Sequence, residues 1–152
     1  MLLGKNKPLD SNKDEQYTPR WIFEALNVAF DLDVCAPKEG SNANAKFWFH
    51  KEIDGLTQRW HGNVWMNPPY SSAKQWVKHF MDHKQGIALL PFSKAYWFIE
   101  LWKDADGICP VYDIKFDQPD NSKKGIFMPV ALFAYGQNNV KALINSNLGK
   151  VR

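Results

Sequence analysis

Cysteine is scarce in this chain of 152 residues: Cys35 and Cys109 stand far apart, with no CxxC pair and no Cys/His spacing of the zinc-binding kind. That excludes a disulfide framework and a structural zinc site, and it favours a reducing compartment, the cytoplasm. Long apolar runs are also missing. No stretch approaches the length that spans a bilayer, and the opening MLLGKNKPLDSNKDEQ has no small-residue cleavage site, so the sequence argues against secretion and membrane insertion. Nor is there a strong excess of charge. Lys plus Arg number 19 against 16 Asp plus Glu, a net +3, which permits contact with a polyanion without indicating one. Internal repeats and low-complexity tracts are absent, which excludes solenoids and fibres.

What remains is the composition of one globular domain: 45% apolar, 14% aromatic and 23% charged. A chain of this length buries roughly 68–70% of the surface its unfolded form exposes, enough for a core without staples. Residues 1–16 are polar and read as a flexible arm, and residues 17–152 as a single domain. Thr18 with Pro19 behind it reads as a helix cap and first helical position, with Ile22, Ala25, Leu26, Ala29 and Phe30 on one face. Leu32 and Val34 read as a strand ending at Cys35-Ala36-Pro37, followed by loop chemistry over Lys38 to Asn44. Asn63 to Met66 reads as a buried strand stopped by Pro68 and Pro69. Ser72 opens a helix carrying Trp76, Val77, Phe80 and Met81, closed by Gly86, and Ile87 to Leu90 reads as a core strand. Ser93 starts a further helix with Trp97, Phe98, Leu101 and Trp102 inward. Strands follow at Ile108 to Tyr112, near Lys115-Phe116 and at Val130 to Tyr135, and a last helix spans Val140 to Asn147. The alternation predicts an α/β fold with an open, mostly parallel sheet and helices on both faces. Ligands bind such sheets beyond the carboxyl ends of the strands.

The segment Asn67-Pro68-Pro69-Tyr70 sits at one of those ends, after Val64-Trp65-Met66. Taken alone it reads equally well as a proline turn. It also fits a specific chemistry. An exocyclic amine on an aromatic ring is a poor nucleophile, because its lone pair is delocalised into the ring. Two acceptors in fixed directions would hold its hydrogens and favour a tetrahedral nitrogen. The Asn67 amide oxygen and the Pro68 carbonyl can serve, since consecutive prolines fix the backbone that aims the carbonyl. Tyr70 offers a flat face for an extruded base.

With that motif the chain resembles the phage-type DNA N6-adenine methyltransferases, called Dam-like, of the amino-methyltransferases with a D/N-P-P-Y/F motif. The resemblance runs from about Asp14 to Tyr135. It rests on YTPRWIFEAL at Tyr17 to Leu26, FDLDVCAP at Phe30 to Pro37, DGLTQRW at Asp54 to Trp60, VWMNPPYS at Val64 to Ser71, IALLPFSKAYWF at Ile87 to Phe98 and YDIKF at Tyr112 to Phe116. It implies a reduced Rossmann-like fold and S-adenosylmethionine as cofactor. It also implies methyl transfer to adenine N6, with double-stranded DNA carrying a flipped adenine as partner, in the host cytoplasm if the chain is phage-encoded. Tyr17, Thr18, Pro19, Asp33 and Ala36 match positions bordering the cofactor, Asp54 matches an acidic residue near its adenine, and Asn67, Pro68, Pro69 and Tyr70 match the catalytic motif. Many methyltransferases place a glycine-rich turn after the first strand. Here Val34 to Gly40 holds one glycine, at its end. Asp33 and Asp54 each have a turn-capping reading beside the cofactor one.

The same site would accept cytosine N4 or an RNA amine, and a catalytically weak nucleic-acid-binding homologue is the rival from another class. The stretches between Asp33 and Asn67 and after Tyr135 are too short for a separate target-recognition domain. Base reading then falls to the loops Ser71 to Lys74, Phe92 to Tyr96 and Pro119 to Lys124, which predicts a site of roughly two to four base pairs, or a homodimer that doubles the reading surface. No metal is expected: His79 and His83 have ligand spacing but no third ligand, and they read as an exposed pair on a helix edge. Trp65, Trp76, Trp97 and Trp102 read as core.

Overall fold

Side-chain alternation along the central strands decides the layers. In β4 (Gly86–Pro91), Ile87 and Leu89 point to one side while Ala88 and Leu90 point to the other, and β6 (Val130–Tyr135) alternates in the same way. Both sides are apolar, so both must be covered. The computed structural model describes residues 17–50, 52–111 and 129–152. Helices α1 (Arg20–Leu26) and α4 (Gln137–Ser146) cover the side of Ile87, Leu89, Leu132 and Trp65. Helices α2 (Ala73–His83) and α3 (Tyr96–Asp104) cover the side of Ala88, Leu90, Phe133 and Met66. No helix among the described residues is long and apolar enough to cross a membrane.

The remaining strands are β1 (Phe30–Ala36), β2 (Ala45–His50), β3 (Val64–Met66) and β5 (Gly107–Val111), and the sheet order is β2-β1-β3-β4-β6-β5. The first four run parallel, while β6 is antiparallel to both its neighbours. From β1 the chain moves outward to β2 and then back across to β3, so the strand order reverses between β1 and β3. Such a reversal opens a crevice at the carboxyl ends. Asp33 lies opposite Trp65, which brings the end of β1 and the turn at Asn67 to the same edge.

Several expected boundaries move, each for a local reason. The first helix stops at Leu26 because Asn27 adopts the left-handed conformation (φ 51°), which asparagine tolerates; Ala29 and Phe30 leave the helix, and Phe30 opens β1. Pro19, not Thr18, is the residue before α1, and the Thr18 side chain is used elsewhere. Helix α2 is closed by Lys84 in the left-handed region (φ 58°) rather than by Gly86. Gly86 instead lets β4 approach β3, since a side chain there would run into the Val64 carbonyl. Ser93 precedes α3 by a short turn in which its hydroxyl accepts the Ala95 N–H at 3.0 Å. Strand β2 was not foreseen. It is an edge strand with Phe47 and Trp48 exposed, so no single buried face marks it in the sequence. The predicted strand near Lys115-Phe116, the loop Pro119 to Lys124, Tyr112 and the arm 1–16 lie outside the described residues.

His79 and His83 are half-buried rather than exposed, and both serve packing. The His79 ring stacks on Trp60 (4.1 Å, 13° between planes), and burial holds its pKa below the ordinary histidine value. His83 Nε2–H donates to the Gly62 carbonyl at 2.7 Å. Among the described residues no group of three His, Cys, Asp or Glu side chains could hold a metal ion.

Candidate active site

The crevice at the strand reversal is open to solvent, with about 850 Å³ of empty space counting its mouth. Asn67, Pro68, Pro69, Asp33, Ala36 and Asp54 line it, with Tyr17 and Thr18 also on its wall. Eight of the ten residues singled out from the sequence therefore meet in one cleft. Pro19 is not among the lining residues; it is buried behind the wall, where its carbonyl accepts the Ile22 N–H at 3.1 Å. Tyr70 is half-buried just past the cleft, as the first residue of a 3-10 turn over Tyr70–Ser72 that leads into α2.

Three polar side chains are buried among the described residues: Thr18, Asp33 and Asn139. Asn139 is held by a reciprocal amide pair with Asn63 (2.7 and 3.1 Å) and is not among the cleft's lining residues. The other two face the cleft. Burying a polar group costs free energy unless it is bonded, so their partners explain the local structure. The Asp33 carboxylate accepts the Ser41 hydroxyl at 2.7 Å and the Cys35 N–H at 3.1 Å. Burial pushes its pKa up to about 6, against the opposing pull of those two bonds. Asp33 therefore does not cap a turn at the strand's end: it sits inside β1, bonds within the strand and to Ser41, and lines the cleft. Thr18 Oγ1 accepts a hydrogen bond from Asn67 Nδ2 at 2.9 Å, and its carbonyl accepts one from Asn42 Nδ2 at 3.2 Å.

The turn role of Asp54 is present in the structure. Its carboxylate accepts the Leu56 N–H at 3.0 Å, capping the 3-10 turn Gly55–Thr57, and it lies on the cleft wall. Gly55 makes that placement possible, because a Cβ there would collide with the Val34 carbonyl and the Trp76 ring. The Trp60 indole N–H then ties the turn down through the Gly55 carbonyl at 2.9 Å. The late glycine after β1 is accommodated too: β1 runs on to Ala36, and Gly40 closes a turn to the Pro37 carbonyl at 2.9 Å with φ 117°.

Several wall residues escaped the sequence reading: Asn42, Phe49, His50 and Ile53 line the cleft. Phe49 and His50 come from β2, and the aromatic run Phe47-Trp48-Phe49 was the available signal for that strand. Trp65 and Trp76 are core residues as expected, yet each also shows an edge to the cleft. The walls are thus largely apolar and aromatic, with a small number of polar side chains among them, the usual make-up of a small-molecule site.

A protein named DNA N-6-adenine-methyltransferase from Haemophilus phage HP1 (strain HP1c1) is 37% identical over 81 residues, covering 50% of this chain and 46% of the relative. One of the same name from Escherichia phage T1 is 33% identical over 121 residues, covering 68% of this chain and 50% of the relative. The chain thus spans about half the length of the curated relatives it matches. No solved structure matches it. The family described as DNA N-6-adenine-methyltransferase (Dam) matches residues 5–128, and with an open Rossmann-like sheet whose reversal point carries the Asn-Pro-Pro-Tyr turn, this chain belongs to that family.

Proposed function

We propose that this chain transfers a methyl group from S-adenosylmethionine to the exocyclic N6 of an adenine flipped out of double-stranded DNA. The observation that carries this reading is that Asn67, Pro68 and the buried Asp33 line one and the same cleft at the strand reversal. The donor set fits the cofactor. Asp33 and Asp54 are acceptors for hydroxyl and amine hydrogens, and Phe49, Ile53, Trp65 and Trp76 supply apolar surface for a heterocycle. Bound there, S-adenosylmethionine supplies an activated methyl group on a sulfonium. Tyr17, Thr18 and Ala36 border the same volume, and Pro19 supports Thr18 from behind.

Asn67 and the Pro68 carbonyl take the two N–H hydrogens of the adenine amine. As the amine is alkylated, positive charge develops on nitrogen, and both acceptors then bind more strongly than in the ground state. No general base is needed before attack: the N–C bond would form as the sulfonium's C–S bond breaks to leave a neutral thioether, and the excess proton would then pass from the methylated amine to water. Pro69 keeps the Pro68 carbonyl aimed, and Tyr70, anchored at the start of the 3-10 turn, stacks on the extruded base. We read residues 17–152 as one methyltransferase domain acting in the host cytoplasm. The expected loop Ser71 to Lys74 is instead the end of the 3-10 turn and the start of α2, with Ala73 buried; in this reading its exposed residues Ser71 and Lys74, with the segment Phe92 to Tyr96 after β4, contact the bases of a short site.

Incubation of the purified chain with unmodified DNA and methyl-labelled cofactor, followed by nucleoside analysis, tests the reading. N6-methyladenine is expected. N4-methylcytosine would move the acceptor to cytosine, label on RNA alone would change the substrate class, and cofactor binding without incorporation would leave a nucleic-acid-binding homologue.

A further inference from the structure

Thr18 and Asn67 are 49 residues apart, and the fold joins them through a hydrogen bond of 2.9 Å inside the cleft wall. Thr18 is 3% exposed, so its hydroxyl is withdrawn from water and held where a buried polar atom needs a partner. Asn67 supplies one. An asparagine amide has two unlike ends, an accepting oxygen and a donating nitrogen, and half a turn of its plane exchanges them. Only with the oxygen toward the amine can Asn67 accept an N–H hydrogen. A hydroxyl oxygen that receives Nδ2 fixes the plane and sets the oxygen at its opposite end.

Thr18 is itself restrained. Asn42 donates to its carbonyl at 3.2 Å, and the preceding residue, Ser41, donates to Asp33 at 2.7 Å. One loop therefore holds both Thr18 and Asp33, and the Thr18 backbone cannot drift away from Asn67 without breaking its bond to Asn42. We infer that Thr18 is the positioning residue that orients the Asn67 amide for the amine, beyond any contact it makes with the cofactor. This rests on the methyl-transfer reading above.

The test compares Thr18→Val, nearly isosteric but without the hydroxyl, with Thr18→Ser, which keeps it. Turnover is measured at saturating cofactor and DNA, and cofactor affinity by calorimetry. For Thr18→Val, kcat is expected to fall about tenfold to a hundredfold with the cofactor Kd within about threefold of the parent, and Thr18→Ser to recover most of the loss. Unchanged kcat in Thr18→Val, or a raised Kd with kcat intact at saturation, overturns the inference; a parent chain without turnover overturns the methyl-transfer reading instead. Should Thr18→Val fail to fold, side-chain amide exchange in the parent decides. The Asn67 amide proton facing Thr18 should exchange more slowly than its geminal partner, and equal rates overturn the inference.

Discussion

The two halves of the sheet are built to opposite rules. In the half formed by β4, β6 and β5, the strands are apolar on both sides, and every residue of β6 is buried. Its polar contacts sit on the rim, where Lys84 Nζ (2.9 Å) and the Tyr135 hydroxyl (2.6 Å) both donate to Asp104 and hold that carboxyl below the usual range. In the half formed by β2, β1 and β3, a carboxyl is buried in mid-strand, the β1–β2 register shifts after Asp33, and the edge strand leaves Phe47 and Trp48 in solvent. The first half is packed on both sides throughout, and the second gives up some regular packing at its edge strand and register. The cleft of the proposed reaction opens where the sheet is least regular, at the strand reversal.

Four experiments would break or sharpen this contrast. Phe133, fully buried against Phe98 and Trp102, belongs to the sealed half. Phe133→Ala should cost about 3–5 kcal/mol of stability in denaturant unfolding, while molecules that remain folded bind cofactor normally. A loss near zero would mean that packing in this half does not stabilise the domain.

Asn67→Ala lies in the open half and should show the reverse pattern. Turnover is expected to fall by roughly 10²–10³, the cost of one acceptor at a developing charge, with cofactor affinity nearly unchanged and a stability loss of only about 1–3 kcal/mol from the Thr18 hydroxyl left without its partner. Near-normal turnover would remove Asn67 from the chemistry.

Asp33 makes the cost of the open half measurable through pH. Its folded pKa is raised to about 6 from 3.8, so folding favours the protonated form. The stability this contributes is complete below about pH 3.8 and is lost as pH rises through about 6, a difference of about 3 kcal/mol. Asp33→Asn escapes that loss. It should match the parent near pH 4 and exceed it by up to about 3 kcal/mol at pH 8, while binding cofactor more weakly. Equal melting of the two proteins at pH 8 would show that burial does not penalise the carboxylate.

The smallest effect is expected at Asp54, which is exposed and caps its turn through one N–H. Asp54→Ala should cost about 1 kcal/mol of stability and raise the cofactor Kd about tenfold, with DNA affinity in the absence of cofactor unaltered. Unchanged cofactor binding in calorimetry would leave Asp54 with its capping role alone.

What the sequence determined by itself is what local chemistry can encode. Apolar alternation in Ile87 to Leu90 and Val130 to Tyr135 dictates strands buried on both faces, and hence two helical layers. Consecutive prolines after Met66 dictate a strand end with an aimed carbonyl. Tertiary structure decided the rest, because the deciding contacts join residues that no local pattern relates. Asn27 and Lys84 ended helices by adopting left-handed conformations that other residues also could have taken. Strand β2 gained its place by pairing with β1, although its own side chains bury little. Thr18 and Pro19 looked like a helix cap, yet the return of β3 beside β1 delivered Asn67 to the Thr18 hydroxyl and made that bond available. Asp33 acquired its depth in the same way, since its burial depends on the strands on either side of β1 and on a loop that brings Ser41 to it. Periodicity is a property of neighbours in sequence, whereas the partner of a buried polar group is chosen by the order of strands in the sheet.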